Sequence, residues 1–216
     1  MKLEKYMLTE FISSEKNIVI YDIGCNNGED SLELLTVFPN SQIYAFEGDT
    51  RSINAFKSLV GSTDRITLIE SLVSGEDAMV EFYHSQSDSR RKGKDDFWSA
   101  SSSIKKPTEK MVVFEDIYFS DPILTESKCL GTLKEQLSLP QPSIIWIDVN
   151  GAEKDVISGG LDIINETEII VIEFEEVELY CGASNREEIL GMLPNFDLVG
   201  VYDFYGTYGN LLLKKK

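Results

Sequence analysis

Short apolar runs alternate with segments of helical period, and this alternation constrains the fold more than any other feature of the chain. The first run, at 17–23, ends at a glycine, and residues 29–38 follow with apolar side chains at helical spacing. The same succession returns at 41–47 and 50–60, where Thr50 is predicted to cap the helix. Strands that alternate with helices predict an α/β three-layer sandwich around a mostly parallel sheet.

The second half of the chain continues this pattern but ends differently. Apolar runs at 144–149 and 168–174 predict two further buried strands, joined by a single helix over 152–164. Two terminal strands, at 197–202 and 209–213, follow each other with only a loop between them. This arrangement predicts an antiparallel pair at one edge of the sheet, which a standard dinucleotide-binding fold lacks.

The region between these halves departs from the alternation. Turn residues at 74–77 precede an apolar stretch at 78–83, which predicts a hairpin in place of a helix. Residues 85–110 are rich in serine and charge and show no period, so we expect an irregular loop within a single domain spanning 1–216. Loops longer than about 15 residues are uncommon unless they are functional or disordered, which favours a lid or a substrate-binding element.

Composition excludes several classes of protein. The 216 residues include 20 Lys and Arg against 37 Asp and Glu, and the resulting net charge of −17 repels phosphate backbones, so nucleic acid is a disfavoured partner. The apolar runs are far shorter than the roughly 20 residues that span a bilayer, and the N-terminus carries charges where a signal peptide needs apolar residues. We therefore expect a cytoplasmic protein without membrane contact. One histidine and three separated cysteines disfavour a zinc site.

The turn after the first strand predicts a ligand site. Gly24 and Gly28 let the backbone approach a ligand, but their G-x-x-x-G spacing differs from the pattern that cradles a pyrophosphate. Asp22 adds negative charge that suits a cationic ligand. Glu47, at the tip of the second strand, is placed to accept both hydroxyls of a ribose. Together these residues predict an adenosine-containing cofactor, while a simple chain turn and a solvated Glu47 remain the structural alternatives.

Three motifs in order make the chain resemble the FkbM family of S-adenosylmethionine-dependent methyltransferases: they read YDIGCNNGEDS, IYAFEGD and IIWIDVNGAEKDVISGG. The family pattern is D-h-G-A-N-x-G-x-x-S (h being apolar), F-E-P and I-D-V-E-G-A-E. This chain departs from it at Cys25, Gly48 and Asn150, and the loss of an acid at Asn150 can alter substrate handling or catalysis. The resemblance implies a class I methyltransferase (Rossmann-like) fold. It also implies an enzyme that transfers a methyl group from S-adenosylmethionine to a small-molecule or carbohydrate hydroxyl and releases S-adenosylhomocysteine.

The resemblance also implies cofactor contacts, residue by residue. Ser31, near the start of the first helix, is a candidate for the carboxylate of the cofactor. Glu47 is expected to bind the ribose hydroxyls, and Ser71 and Leu72 to border the adenine. The methionine and ribose portions are expected to lie against Asp22, Gly24, Asn26 and Gly28.

Candidate catalytic residues lie further along the chain. Asp148 ends the strand predicted at 144–149 and is the first choice for a base that removes the acceptor's proton, its alternative role being a helix cap. His84 has the one side chain whose unperturbed pKa is near neutrality, although it can equally be a packing residue. Glu173, on the next strand, is the third candidate. Three loosely spaced carboxylates are a weak magnesium signature, so a divalent metal is possible but is not predicted.

The irregular loop carries the substrate prediction. Six basic residues lie between 90 and 106 in an otherwise acidic chain. They favour an acceptor that bears phosphate or carboxylate, such as a phosphorylated sugar, and the alternative is a solvated loop that balances nearby acids. The residues predicted to bind the acceptor are Arg90, Arg91, Trp98 and Lys105.

Three other functions stay open at this stage. A nicotinamide-dependent oxidoreductase is disfavoured by the glycine spacing and by the lack of a Tyr-x-x-x-Lys pair. A methyltransferase fold that binds without turnover is compatible with Asn150. A methyltransferase that acts on nucleic acid or protein is compatible with the basic loop, but the net charge opposes it. The oligomeric state is not predicted.

Overall fold

A seven-stranded sheet forms the centre of the computed structural model, which describes residues 1–87, 99–111 and 117–216. Five neighbouring strands run parallel, whereas the last strand of the chain is antiparallel to both of its neighbours. This confirms the predicted mostly parallel sheet with an antiparallel C-terminal strand. The strand order is β3 (Ile66–Glu70), β2 (Gln42–Glu47), β1 (Val19–Ile23), β9 (Ile144–Ile147), β10 (Ile169–Glu175), β12 (Tyr208–Lys215) and β11 (Phe196–Tyr202).

Helices cover both faces of this sheet and complete the three layers. Alternate residues of each strand face opposite sides, so Ile145 and Ile147 enter one apolar cluster while Ile144 and Trp146 enter the other. No helix among the described residues is long and apolar enough to cross a membrane. A 3₁₀ helix (Lys5–Glu10), α1 (Glu29–Val37) and α2 (Thr50–Val60) cover one face; α3 (Leu130–Gln136), α4 (Glu153–Gly159), α5 (Leu161–Asn165) and α6 (Arg186–Met192) cover the other.

Two helix boundaries differ from the sequence prediction. Asp49, not Thr50, caps α2, because its side chain accepts a hydrogen bond from the backbone N–H of Arg51. The single helix predicted over 152–164 is interrupted at Gly160 and forms α4 and α5. A side chain at Gly160 would lie 2.8 Å from a methyl carbon of Leu130, so a glycine here allows α3 to pack closely.

The predicted hairpin around 74–83 is wrong, although its second strand exists. Strand β4 (Leu72–Ser74) and strand β5 (Ala78–Phe82) belong to one three-stranded sheet, but β8 (Ile123–Cys129) lies between them. The hydroxyls of Ser74 and Ser127 form a 2.9 Å hydrogen bond where β4 meets β8. A separate two-stranded sheet pairs β6 (Ser85–Ser87) with β7 (Ile117–Phe119).

Gly24 fixes how the end of β1 meets the end of β9. Its φ is +86°, and a Cβ at this position would lie 1.8 Å from the backbone oxygen of Asp148. Both the left-handed conformation and the close approach therefore require glycine. The turn that follows β1 and the segment that follows β9 are thereby held side by side.

We expect Gly24→Ala to destabilise the protein more than Gly206→Ala. Gly206 also has a positive φ (+89°), but a Cβ added there would meet no atom within 4 Å, so its substitution carries only the conformational cost of about 1–2 kcal/mol. Gly24→Ala adds a clash with backbone, which costs about 1–3 kcal/mol more. Urea unfolding of both variants measures the difference, and equal losses would contradict the close-packing argument.

Candidate active site

A cleft of about 360 Å³ opens at the carboxyl edge of the parallel strands. Its walls come from the turn after β1, the tips of β2 and β3, the end of β9 and a segment near residue 100. We call residues 99–103 (Ser-Ala-Ser-Ser-Ser) the serine strap. The residues that line the cleft include Gly24, Asn26, Glu29, Asp30, Glu47, Gly48, Ser71, Leu72, Asp148 and Asn150, with Ser99, Ala100, Ser102 and Ser103 of the strap.

Glu47 is held in place by three backbone N–H groups. Its Oε2 accepts from Asn26 at 2.9 Å, and its Oε1 accepts from Gly48 at 2.8 Å and from Asp49 at 2.7 Å. Burial raises the pKa of this carboxyl group to about 7, although the three donors act in the opposite direction. The FkbM pattern has a proline at the position of Gly48. Proline has no N–H, so a residue with a backbone N–H, such as glycine, is needed for this hydrogen bond to Glu47.

The eight predicted cofactor residues divide into two groups. Gly24, Asn26, Glu47, Ser71 and Leu72 line the cleft and are brought together by the fold. The other three, Asp22, Gly28 and Ser31, do not line it.

Asp22 and Ser31 form a buried pair beneath the turn. Ser31 Oγ donates to Asp22 Oδ2 at 2.5 Å, and the two residues, Ser31 and Asp22, are 0% and 1% exposed respectively. Burial raises the pKa of Asp22 to about 7. Gly28 also serves packing, because a Cβ there would lie 2.6 Å from Phe56 and from Val60. These residues shape the turn from behind.

Asp148 lines the cleft directly after β9, half-buried. Burial raises the pKa of its carboxyl group to about 6, and the negative charge of Asp30 acts in the same direction. The N-terminus of α4 has no side-chain cap, so Asp148 does not fill the alternative role of a helix cap. Its carboxylate is available to the cleft.

Two glutamates, Glu153 and Glu173, lie outside the cleft lining. Glu153 is 1% exposed, and its Oε1 accepts from the backbone N–H groups of Val149 and Gly151, both at 3.2 Å, so it holds the turn that follows β9. Glu173 lies on β10 next to β9 and is half-buried. Burial raises its pKa well above the usual range, and the charge of Asp148 adds to that effect. The described residues contain no group of three or more His, Cys, Asp or Glu arranged to hold a metal ion.

The charged residues lining the cleft, within the described ranges, are all acidic: Glu29, Asp30, Glu47 and Asp148. Lys5 of the 3₁₀ helix approaches from outside. Its Nζ pairs with Asp30 and lies 4.4 Å from the ring centroid of Trp146. The cleft therefore presents a negative field, which favours a cationic ligand.

The serine strap lines the cleft and is hydrogen-bonded to the turn after β1 and to the start of α2. Ser102 Oγ donates to Asp49 Oδ2 at 3.0 Å and accepts from Arg51 Nη2 at 2.9 Å. Ser99 Oγ donates to Asn26 Oδ1 at 3.3 Å. The loop predicted as irregular thus contains a stretch that is fixed against the glycine turn and against the cap of α2.

The remaining predicted residues lie elsewhere. His84 is outside the cleft lining; its ring packs edge-on against Phe82 at 4.9 Å, and its Nδ1 lies 3.9 Å from Asp49 Oδ2. Burial lowers the pKa of His84. Lys105 Nζ pairs with Asp155 at 2.6 Å and does not line the cleft. The other three predicted acceptor contacts, Arg90, Arg91 and Trp98, fall outside the described residues.

Sequence reasoning does not identify the serine strap as part of the site. The serines are evident in the sequence, but the prediction of the acceptor site is based on the basic and aromatic residues of the same loop. The motif marks Asn150 only as a departure from the family pattern. Its side-chain amide donates to the backbone oxygens of Ala100 and Ser102, at 3.0 and 3.3 Å. Both partners are carbonyl oxygens, so a side chain with two N–H donors, such as asparagine, fits this position. The motif alone does not indicate this role.

Comparison with known proteins agrees with this fold. The sequence profile described as the Methyltransferase FkbM domain matches residues 22–198. A curated relative, 2-O-methyltransferase NoeI of Sinorhizobium fredii, is 34% identical over 196 residues, which cover 91% of this chain and 79% of the relative.

Solved structures share the fold at low sequence identity. The methyltransferase FkbM of Methylobacillus flagellatus superposes with a TM-score of 0.57 at 14% identity, over 96% of this chain and 47% of that one, so the chain spans about half of that structure's length. Fibrillarin of Aeropyrum pernix, with natively bound S-adenosyl-L-methionine, gives 0.54 at 10% identity, over 97% and 72% of the two chains.

The fold and the matches define a class I methyltransferase. The chain belongs to the FkbM family, and it is an S-adenosylmethionine-dependent methyltransferase.

We expect Ser31→Ala to lower the free energy of unfolding by about 1–3 kcal/mol, because it leaves the buried Asp22 carboxyl without its hydroxyl donor. Ser58→Ala is the matched control: Ser58 is an exposed helical serine whose hydroxyl donates to Asn54 of its own helix. We expect the control to change stability by less than about 0.5 kcal/mol. Thermal and urea unfolding measure both, and a neutral Ser31→Ala would show that the buried pair contributes nothing.

Proposed function

We propose that this methyltransferase transfers the methyl group of S-adenosylmethionine to a hydroxyl oxygen of a small molecule, with a sugar as the acceptor class, and that the cleft holds the cofactor. The observation that carries the proposal is the position of the Glu47 carboxylate in the cleft lining. Three backbone N–H groups orient this carboxylate into the cleft at the tip of β2, where a carboxylate can accept both ribose hydroxyls.

The charge of the cleft supports this cofactor. S-adenosylmethionine carries a sulfonium and an ammonium group against one carboxylate, whereas a nicotinamide dinucleotide carries a diphosphate. The lining residues Glu29, Asp30, Glu47 and Asp148 attract the first and repel the second. These acidic residues therefore fit S-adenosylmethionine, the cofactor of the family.

Each of the eight predicted cofactor residues receives a role under this proposal. Glu47 binds the ribose, Gly24 and Asn26 contact the methionine and ribose portions, and Ser71 and Leu72 border the adenine. Asp22, Gly28 and Ser31 support the turn from behind, because they are packed beneath it.

Asp148 is the proposed base. The sulfonium supplies a methyl group that is ready for in-line displacement, so the protein must align the acceptor and remove its proton. Asp148 lies in the cleft with a pKa of about 6, so it is ionised near neutral pH yet can accept a proton. His84 is the weaker candidate because it lies outside the lining, behind Phe82.

Transfer to oxygen is supported by the relative at 34% identity, which is a 2-O-methyltransferase. The carbohydrate class follows from the family resemblance. An acceptor that bears phosphate remains the hypothesis drawn from the basic residues of the loop, although Lys105 is paired with Asp155.

The proposal is tested by calorimetric titration followed by an acceptor screen. We expect S-adenosylmethionine and S-adenosylhomocysteine to bind at micromolar concentration and NADH, the control ligand, not to bind. Purified protein with labelled cofactor is then screened against sugars, phosphorylated sugars and oligosaccharides, with an RNA pool and a protein mixture as competing classes. NADH binding alone would overturn the cofactor, and methylation confined to RNA or protein would overturn the acceptor class.

We expect Glu47→Gln to weaken S-adenosylhomocysteine binding by more than about tenfold, because the neutral amide loses the anion that the ribose hydroxyls prefer. Glu70→Gln is the matched control, since Glu70 lies opposite Glu47 on β3 but is exposed and pairs with Lys57. Calorimetry measures both variants, and unchanged binding by Glu47→Gln would remove Glu47 from the site.

The same carboxylate predicts a pH dependence. With a raised pKa of about 7, Glu47 is mostly ionised at pH 8, and ligand binding to the ionised form must compete with protons below pH 7. Affinity is therefore expected to fall by about tenfold between pH 8 and pH 6. Glu47→Gln should flatten this profile, whereas a profile unchanged by the substitution would assign the titration to another group.

We expect Asp148→Asn to lower kcat by about 10²–10⁴-fold and to change S-adenosylhomocysteine binding by less than about threefold. The amide keeps the size of the side chain but cannot accept the proton. Asp162→Asn, an exposed position on α5, is the control for the change of charge. A variant that retains wild-type kcat would show that Asp148 is not the base.

A further inference from the structure

Asn150 occupies an unusual position at the end of the third motif. Its φ is +54°, in the left-handed region, and it lines the cleft two residues after Asp148. Its Nδ2 donates to the backbone oxygens of Ala100 at 3.0 Å and Ser102 at 3.3 Å. Its own backbone oxygen accepts from Ser103 Oγ at 2.7 Å. Three hydrogen bonds therefore join this turn to the serine strap.

The chemistry of these bonds fits an amide and disfavours a carboxylate. Ala100 and Ser102 both present carbonyl oxygens, so their partner must donate two N–H groups. A carboxylate, as in the family pattern D-V-E-G, has only acceptors and would repel both oxygens. Asparagine is also one of the few residues other than glycine that tolerates the left-handed conformation.

The serine strap is also anchored by residues other than Asn150. Ser103 exchanges two backbone hydrogen bonds with Tyr83, at 2.8 and 3.1 Å, and Tyr180 donates its hydroxyl to the backbone oxygen of Ser101 at 2.6 Å. Asn26, on the cofactor side, accepts from Ser99. Asn150 connects this strap to the turn that carries Asp148.

We propose that Asn150 is a positioning residue: its side-chain amide clamps the serine strap against the end of β9 and so fixes the distance between the cofactor wall of the cleft and Asp148. This proposal rests on the proposed function of the cleft. Asn150 itself removes no proton. Its role is to keep the strap closed, since a displacement of about 1 Å at such a site can cost about 100-fold in rate.

Two substitutions distinguish the effect of the Asn150 side-chain amide from the effect of its backbone conformation. Asn150→Asp keeps the size of the side chain and removes both donors. Asn150→Gly favours the observed positive φ and removes the side chain without straining the turn. In both variants we expect the amide hydrogens of residues 99–104 to exchange at least about tenfold faster and S-adenosylhomocysteine to bind at least about tenfold more weakly. The melting temperature should stay within a few degrees of wild type.

Kinetics distinguish positioning from a merely structural role. With a productive acceptor, we expect KM for the cofactor to rise and kcat to fall in both variants, whereas a loss of folded protein would lower the apparent kcat and leave KM unchanged. Asn54→Asp adds the same charge at an exposed position of α2 and should match wild type.

The outcomes are separable from failure of the proposed function. If the wild-type protein binds no S-adenosylhomocysteine, the proposed cofactor site fails, while hydrogen exchange at residues 99–104 in the free protein still decides the clamp. Unchanged exchange in both variants would overturn the clamp. Faster exchange with unchanged ligand binding and unchanged KM would overturn the positioning role.

Discussion

The site depends on the absence of a side chain at Gly24. Because nothing projects there, the backbone oxygen of Asp148 can lie against the turn after β1. The same turn donates to the backbone oxygen of Phe46 at the end of β2, at 3.0 and 3.1 Å, so three strand ends are drawn together. The oriented carboxylate of Glu47 and the carboxylate of Asp148 consequently face one cleft. The proposed recognition of the cofactor by Glu47 and the proposed proton transfer to Asp148 are thus coupled through a backbone contact that any larger residue at Gly24 would prevent.

The central part of this arrangement can be predicted from the sequence because its signals are local. The run before Gly24, the acid at Glu47 and the run before Asp148 each combine a buried strand with the residue that ends it. Parallel strands bring these three ends to a common edge whatever lies between them along the chain. The antiparallel pairing of β11 with β12 is predictable for the same reason, since only a short loop separates the two strands.

Other features depend on contacts between distant residues and are not predictable in this way. Strand β8 is mostly exposed or half-buried, so it lacks the apolar run that marks a strand, and its position between β4 and β5 is decided by pairing across about fifty residues. Asp22 and Ser31 belong to the first motif, yet they satisfy each other beneath the turn. The serine strap has no hydrophobic period at all. Its place in the cleft follows from hydrogen bonds to Asn150, Asp49 and Asn26.

The pairing of β4 with β8 brings together the two ends of the intervening stretch, residues 75–126. Leu72, which lines the cleft, lies in register with Ser127, and the hydroxyl bond between Ser74 and Ser127 closes the base. A stretch closed in this way can change in length without moving its flanks, because additional loop residues add little entropic cost. The serine strap, which lies in this stretch, lines the cleft, so only changes outside the strap leave the cleft lining in place.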